Sequence, residues 1–314
     1  MSALFDVILP VFLVLGYGYA AARTGLLGDR VIDGIQQFAQ NFAVPVLLFQ
    51  SIARLDLGQD FDPAMLASFY AGAFAGYGLG WSAARFVLAR PPEDCVAIGF
   101  VCLFSNTLLL GLPITERAYG PEALAGNYTI IAMHSPLLYT FGITVMEFTR
   151  ARGLRLSVGQ VAGRALVGVL RTPLVIGILA GLAVNLAGMA GLELPQGAWD
   201  AVGMMARAAI PAALFGLGGV LHRYRPEGEA RAIAICVAAS LVLHPAVAYG
   251  LGRAFGVGVD GLRSAVVTAA MPPGVNAYLF AAMYGSAMRV AASAVLVGTA
   301  LAIVTATFWL AVLP

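Results

Sequence analysis

Lysine is absent from this chain of 314 residues, and charged residues of every kind are scarce. All 18 basic residues are arginines, charged residues make up 11% of the sequence, and hydrophobic residues make up 60%. The mean hydropathy of +0.87 lies far above the range of soluble globular domains. The composition therefore excludes an ordinary soluble enzyme, and the net charge of +2 offers no basic surface for nucleic acid.

Cysteine and histidine are also rare, with three residues of each. Cys95, Cys102 and Cys236 lie in apolar stretches without the CxxC spacing of metal or redox sites, so we interpret them as small packing residues. The sequence has no HExxH pair, and Asp29 has no acidic partner inside an apolar stretch. These absences argue against an intramembrane enzyme, and we expect no catalytic residue and no metal site.

Ten apolar stretches are long enough to cross a bilayer, since a transmembrane helix needs about 20 residues. They predict a polytopic all-α protein of the inner, or plasma, membrane whose surroundings are the lipid bilayer. We number the predicted spans 1 to 10 along the chain. They lie near residues 4–22, 31–53, 63–84, 95–116, 126–148, 171–190, 199–221, 231–252, 263–284 and 290–312.

Arginine also indicates the orientation of the chain. If the N-terminus lies outside the cytoplasm, 13 arginines flank the inner ends of the spans, four flank the outer ends, and Arg207 falls inside span 7. Because short cytoplasmic loops are enriched in basic residues, this distribution predicts that both termini lie outside. Arg207 itself is explained equally well as an attractor for an anion or as a side chain that reaches outward to the headgroups.

Spans 4 and 9 contain residues that interrupt helices near their middles. Span 4 carries Ser105, Asn106 and Thr107 followed by Pro113, and span 9 carries the sequence MPPGVN at 271–276. Proline removes a backbone donor and clashes with the preceding turn, and lipid offers no replacement partner. Paired interruptions in corresponding segments are the best sequence pointer to a binding site at the bilayer midplane. We therefore predict that the broken spans 4 and 9 cross there.

Short internal similarities indicate two related halves. Residues 43–49 (AVPVLLF) resemble residues 209–215 (AIPAALF), and the YGLG of 77–80 recurs at 249–252. Because five spans is an odd number, the second copy would enter the bilayer inverted, with a two-fold axis in the membrane plane. The predicted segments are a first five-helix repeat at 1–150, a cytoplasmic connector at 151–170 and a second five-helix repeat at 171–314.

Glycines spaced four residues apart predict close contacts between helices, because small residues let two backbones approach. Span 3 carries Gly72, Gly76 and Gly80, and span 6 carries Gly177 and Gly181. We interpret these residues as packing positions rather than as hinges.

The predicted breaks suggest how an anion could be held. An unwound segment leaves backbone groups without partners, and the half-helix that follows it presents a partial positive end. Such ends, together with the amides of Asn106 and Asn276, could hold a carboxylate without a fixed counter-charge. Alternatively, the two asparagines only cap broken helix ends. His134, beside Ser135 in span 5, either lines this cavity and couples to protons or stays neutral in a helix contact.

The proline-centred spans 2 and 7, the stretch from Asn106 to Pro113 and the stretch from Pro272 to Asn276 resemble the auxin efflux carrier family in its short bacterial form. The resemblance covers essentially the whole chain. It implies ten helices in two inverted five-helix repeats, as in the bile-acid sodium symporters and related sodium/proton antiporters. It also implies a scaffold made of spans 1, 2, 6 and 7 and a moving transport domain made of spans 3–5 and 8–10.

The resemblance implies a secondary transporter of a small organic anion, such as malonate, malate or an auxin-like acid, that works by elevator-type alternating access. Coupling to sodium or to protons stays open because span 5 has no acid before Glu147, and related folds suggest a homodimer. A passive anion channel is the main alternative, an intramembrane enzyme is a weaker one, and no cofactor is expected. The predicted substrate-site residues are Asn106, Thr107, Pro113, His134, Ser135, Pro272, Pro273, Gly274 and Asn276, with Pro45 and Pro211 on the facing scaffold.

Overall fold

In the computed structural model, every regular element of the described residues is helical. The described residues are 2–55, 62–150, 159, 163, 166–168, 170–189, 191, 194–225, 227 and 229–314, with side chains from residue 6 onward. The prediction of an all-α chain is confirmed for these residues. The predicted connector at 151–170 lies largely outside them.

Fourteen α-helices are found in this part of the chain, several of them shorter than a bilayer is thick. They are α1 (Ser2–Arg23), α2 (Asp29–Phe38), α3 (Val44–Ala53), α4 (Pro63–Ser82), α5 (Pro92–Leu103), α6 (Leu112–Tyr119), α7 (Ala125–Arg150), α8 (Pro173–Met189), α9 (Gln196–Arg223), α10 (Ala230–Ala238), α11 (His244–Ala254), α12 (Val259–Ala269), α13 (Val275–Tyr284) and α14 (Met288–Val312).

Five helical stretches of the described residues are both long and apolar enough to cross a membrane. They are Asp6–Arg23, Pro121–Arg150, Gln196–Arg223, Ala230–Ala254 and Met288–Val312. Several spans are therefore present, and the full number of ten and the inverted repeat stay predictions.

Wider π-helical turns join several of these helices, and three of them end two residues before a proline. A proline ring clashes with the carbonyl four residues earlier, and in each case that carbonyl falls inside the π turn, where hydrogen bonds reach one residue further. The helix thus widens instead of breaking. The three turns and their prolines are Ala39–Ala43 with Pro45, Thr107–Gly111 with Pro113, and Ala239–Leu243 with Pro245.

The chain divides into two compact units. Unit 1 consists of Met1–Leu9, Asp62–Ala165 and Tyr224–Pro314, and unit 2 consists of Pro10–Phe61 and Leu166–Arg223. Unit 1 therefore holds α4 to α7 and α10 to α14, whereas unit 2 holds most of α1 together with α2, α3, α8 and α9. Each unit takes segments from both halves of the sequence.

Close backbone contacts at glycines hold the helices of unit 2 together. A Cβ atom at Gly18 of α1 would overlap the carbonyl oxygen of Phe215 in α9. A Cβ atom at Gly177 of α8 would overlap the carbonyl oxygen of Pro45 in α3. Since lipid provides no hydrophobic force between helices, such van der Waals contacts account for much of their association.

Unit 1 packs in the same way around α4. A Cβ atom at Gly72 would lie 2.6 Å from the carbonyl oxygen of His244, and one at Gly76 would lie 2.6 Å from that of Cys102. A Cβ atom at Gly80 would lie 2.5 Å from the Cys102 sulfur. The close contacts predicted from the glycine spacing are confirmed, and Cys102 is a buried packing residue here.

We expect Gly18→Ala to destabilise unit 2, because the new Cβ would overlap the Phe215 carbonyl. Overpacking of this kind costs about 1–3 kcal/mol, so the midpoint of thermal unfolding of the purified protein should fall by several degrees. Gly16→Ala is the matched control on the same helix, since its Cβ would meet no atom within 4 Å. Equal losses in the two variants would contradict the assigned helix contact.

Candidate functional site

Two interrupted helices form the centre of the candidate site, and both belong to unit 1. The first interruption begins after α5 ends at Leu103, and it includes Ser105 and Asn106 before the π turn Thr107–Gly111 leads into α6. The second lies between the end of α12 at Ala269 and the start of α13 at Val275. Each interruption thus separates two half-helices within one predicted span.

The two interruptions meet and pair through their backbones. Ser105 and Pro273 form an isolated antiparallel bridge. The Asn106 N–H donates to the Pro272 carbonyl at 2.8 Å, and the Gly274 N–H donates to the Phe104 carbonyl at 2.9 Å. Each break therefore supplies hydrogen-bond partners for peptide groups that the other break leaves without one. We call this paired region, residues 104–106 with residues 272–274, the crossover.

The side chain of Asn106 makes one structural hydrogen bond through its oxygen and leaves its nitrogen donor unpaired. Its side-chain Oδ1 accepts a hydrogen bond from the Leu109 N–H at 3.3 Å, so it caps the π turn that follows. The residue is 6% exposed, and its Nδ2 is buried without a hydrogen-bond partner among the described residues. The hydroxyl of Ser105, 2% exposed, is also buried without a described partner. Buried donors of this kind are rare and usually mark a place for a further polar group.

The second break presents the start of a helix. Gly274 precedes α13 in an extended conformation with φ of −74° and ψ of 159°. Asn276 is the second residue of α13 and is half-buried, and its carbonyl accepts a hydrogen bond from the Tyr139 hydroxyl at 3.0 Å. The first N–H groups of a helix carry a partial positive charge and lack partners within the helix. Residues 103–113 and 270–276 contain no charged residue, so these dipoles dominate the local field.

His134 lies against the crossover in an aromatic environment. Its ring centroid is 4.5 Å from that of Phe104, 5.7 Å from Phe69 and 6.3 Å from Tyr70. His134 is 2% exposed, and its ring lies within reach of the Ser105 backbone in the first break. The neighbouring Ser135 is half-buried.

The other predicted site residues are distributed between the units. Thr107, Pro113, Pro272, Pro273 and Gly274 are buried in unit 1, at or next to the two breaks. The predicted scaffold prolines both belong to unit 2, where Pro45 follows a π turn and Pro211 lies inside the continuous helix α9.

The sequence does not predict three residues that lie at the crossover, namely Phe104, Tyr139 and Gly298. The ring of Tyr139 lies 5.4 Å from that of Phe104, which places an aromatic wall beside the first break. A Cβ atom at Gly298 of α14 would lie 3.0 Å from Cδ of Pro273, so a larger residue there would force the two segments slightly apart. No signal in the sequence distinguishes these positions, because aromatic and glycine residues are frequent throughout the apolar stretches.

Helices that break at a shared point inside an apolar chain are typical of membrane transporters. The family described as "Membrane transport protein" matches residues 3–310 of this chain. The chain belongs to this family, to which the auxin efflux carriers also belong. It is therefore a multi-pass membrane protein, and its family indicates a transporter rather than an enzyme.

Several relatives align with this chain. The "Putative malonate transporter" of Rhizobium meliloti (strain 1021) is 24% identical over 98% of this chain and 95% of its own length. The "Uncharacterized transporter YfdV" of Escherichia coli (strain K12) is 22% identical over 96% of this chain and 95% of its own. Auxin efflux carrier component 8 of Arabidopsis thaliana is 27% identical over 46% of this chain and 41% of its own.

We expect the second break to be reachable from water at Asn276. Asn276→Cys should react with a small water-soluble maleimide, because this side chain is half-buried rather than enclosed. Ala277→Cys, at the next position and 0% exposed, is the matched control and should not react. The three native cysteines are buried and give a low background. Labelling of Ala277→Cys but not of Asn276→Cys, measured by mass spectrometry, would contradict this geometry.

Proposed function

We propose that this protein is a secondary carrier of a small organic anion that works by alternating access, with the anion held at the crossover. One observation carries the proposal. The backbones of the two breaks form hydrogen bonds with each other. The buried Nδ2 of Asn106, close to the start of α13, is left without a hydrogen-bond partner among the described residues. A donor in that position requires an acceptor, and a carboxylate is the acceptor that a helix N-terminus favours.

The anion would be held by dipoles alone. Nδ2 of Asn106, the hydroxyl of Ser105, the amide of Asn276 and the first N–H groups of α13 are neutral donors, and hydrogen bonds to a charged group are worth about 1.5–3 kcal/mol each. A buried ion pair costs several kcal/mol to separate, which would slow the release of cargo. A neutral site is therefore suited to repeated binding and release.

We further propose that unit 2 is the scaffold and that unit 1 is the domain that moves. The division of the chain into two compact units supports this assignment. Unit 2 contains most of the predicted spans 1, 2, 6 and 7, and unit 1 contains the remaining spans. The crossover lies wholly within unit 1, so its paired backbones would move together. In this proposal ten spans form two inverted repeats, and Pro45 and Pro211 belong to the scaffold.

The names of two relatives support a small carboxylate as the cargo, since one is named for malonate and another for auxin. The arginine distribution supports an orientation with both termini outside the cytoplasm, and we propose the plasma membrane as the location. Purified protein in liposomes should take up radiolabelled malonate, malate or indole-3-acetate. Uptake should saturate and show counterflow, whereas a passive channel shows neither.

Asn106→Asp tests the site most sharply. Aspartate caps a helix as well as asparagine does, so the bond to the Leu109 N–H should remain. The change removes the Nδ2 donor and adds a negative charge, and the initial rate of uptake should fall at least tenfold. Asn276→Ala should reduce uptake for the same reason, since it removes the second amide.

The two substitutions at Asn106 separate the two roles of this residue. Asn106→Ala loses both the cap and the donor, so it should lower the unfolding temperature as well as uptake. If Asn106 only caps the broken helix, Asn106→Asp will transport normally and Asn106→Ala alone will be impaired. That result, obtained at equal expression, would overturn the anion site.

A further inference from the structure

Arg207 is a charged residue in the interior of the long apolar helix α9, and the proposed crossover site does not use it. The stretch Gln196–Arg223 is long enough to cross a membrane, and Arg207 lies about 16 Å from its start at 1.5 Å per residue. Its side chain is exposed, and it forms no ion pair with the described residues. A charge inside a membrane span is costly and usually marks a functional site.

The guanidinium of Arg207 and the amide of Gln50 approach a common gap beside Gly203. A Cβ atom at Gly203 would lie 3.5 Å from Nη1 of Arg207 and 4.0 Å from Nε2 of Gln50. Apart from chain neighbours and the helix backbone, it would meet no other atom of the described residues within 4 Å. Gln50 lies on α3, whereas Gly203 and Arg207 lie on α9, so the gap lies within unit 2. We call these three residues the Arg207 group.

The two nitrogens at this gap are both hydrogen-bond donors, so neither can satisfy the other. Within the described part of the chain, no hydrogen bond is formed by either nitrogen. An acceptor placed in the gap at Gly203 would serve both. The guanidinium presents its donors in a planar fork that matches the two oxygens of a carboxylate, and such charge-assisted pairs are stronger than neutral ones.

The charge around the Arg207 group also favours an anion. Trp199 lies two turns before Arg207 on the same face of α9, and the guanidinium of Arg54 lies over its ring, 4.6 Å from the centroid. Asp200, an acid on α9, also lies about two turns before Arg207 and accepts a hydrogen bond from Gln196 at 2.9 Å. Two arginines therefore stand against one acid in this part of unit 2.

We propose that the Arg207 group binds the carboxylate of a small organic anion and thus forms a second anion site, within unit 2. A lipid phosphate has similar chemistry. However, α9 has 28 residues and is about 42 Å long, which matches a bilayer with its headgroups. Arg207 lies deeper along α9 than the headgroup layer, so the depth favours a soluble anion.

The Arg207 group would supply cargo to the carrier from the scaffold. Pro211, which we assign to the scaffold, lies one turn after Arg207, and both side chains are exposed on the same face of α9. A fixed positive charge there raises the local concentration of an anion. This consequence rests on the proposed carrier function, whereas binding of an anion to the purified protein does not.

The test measures binding of malonate to purified full-length protein in detergent. Asn106→Asp is the background for every variant, because this change disables the proposed crossover site. Sodium malonate should raise the midpoint of thermal unfolding to a plateau, and sodium chloride at the same sodium concentration and ionic strength should not. The absence of any malonate response in this background would overturn the second site.

Gly203→Ala fills the gap without removing a charge. Its Cβ would make only ordinary contacts at 3.5 and 4.0 Å, and alanine suits a helix better than glycine, so the midpoint without malonate should not fall. The half-saturating malonate concentration should rise at least tenfold, because the methyl group occupies the place of the carboxylate. Gly197→Ala is the matched control on α9, since its Cβ would meet no atom within 4 Å.

Two substitutions of Arg207 test the charge and the fork separately. Arg207→Gln removes the charge and should raise the half-saturating malonate concentration at least tenfold. Arg207→Lys keeps the charge without the planar fork and should raise it by a smaller factor. An unchanged malonate response in both Gly203→Ala and Arg207→Gln would overturn the site.

Phosphatidylglycerol added to the detergent separates the two sources of an oxyanion. A rise in the unfolding midpoint that depends on Arg207 and occurs with this lipid but not with malonate would overturn the soluble anion. The two anion sites can also fail separately. Normal uptake by Asn106→Asp, with a malonate response that Gly203→Ala removes, would discard the crossover site and keep the Arg207 group. Lost uptake by Asn106→Asp with the same malonate response would support both sites.

Discussion

Every peptide group that leaves a helix inside an apolar chain needs a new partner, because lipid provides none and each unpaired group costs several kcal/mol. The crossover meets this requirement internally. Two hydrogen bonds, from Asn106 to Pro272 and from Gly274 to Phe104, give each break partners in the other. Because the backbone groups are hydrogen-bonded to one another, the side chains and the free helix N-terminus remain available to bind a ligand. The candidate site depends on this exchange of backbone partners.

Proline accompanies both breaks, but its local effect differs between them. At Pro113 the helix widens into the π turn Thr107–Gly111, and Asn106 caps its start, so the first break is short and tightly held. At Pro272 and Pro273 the chain runs extended until Gly274, and α13 begins afresh. One break thus contributes a capped turn with a spare amide donor, and the other contributes an open helix N-terminus.

The sequence indicates the breaks because proline and asparagine have strong local effects on helices, and both interruptions lie where those residues stand. Local effects do not determine which carbonyl each freed N–H finds, since Phe104 and Gly274 are 170 positions apart in the chain. The similar motifs at 43–49 and 209–215 show the same limit, because Pro45 follows a π turn and Pro211 lies in an uninterrupted helix.

The side chains around the breaks were harder to predict than the breaks. Asn106 and Asn276 look equivalent in the sequence, yet one is buried and caps a turn while the other is half-buried at a helix start. Glycine is common in apolar helices for packing alone, so Gly298 does not stand out from its neighbours. Its role comes from a contact with the distant Pro273, which composition and spacing do not encode.

A broken helix has two new ends of opposite polarity, and this property bears on the proposed anion site. The end of α12 carries a partial negative charge, and the start of α13 carries a partial positive charge that would face the proposed anion. Both ends come from the single gap between Ala269 and Val275, and residues 270–276 contain no charged side chain. In the proposed carrier, the helix start alone would attract the anion at this gap, and the absence of a buried ion pair would allow its release.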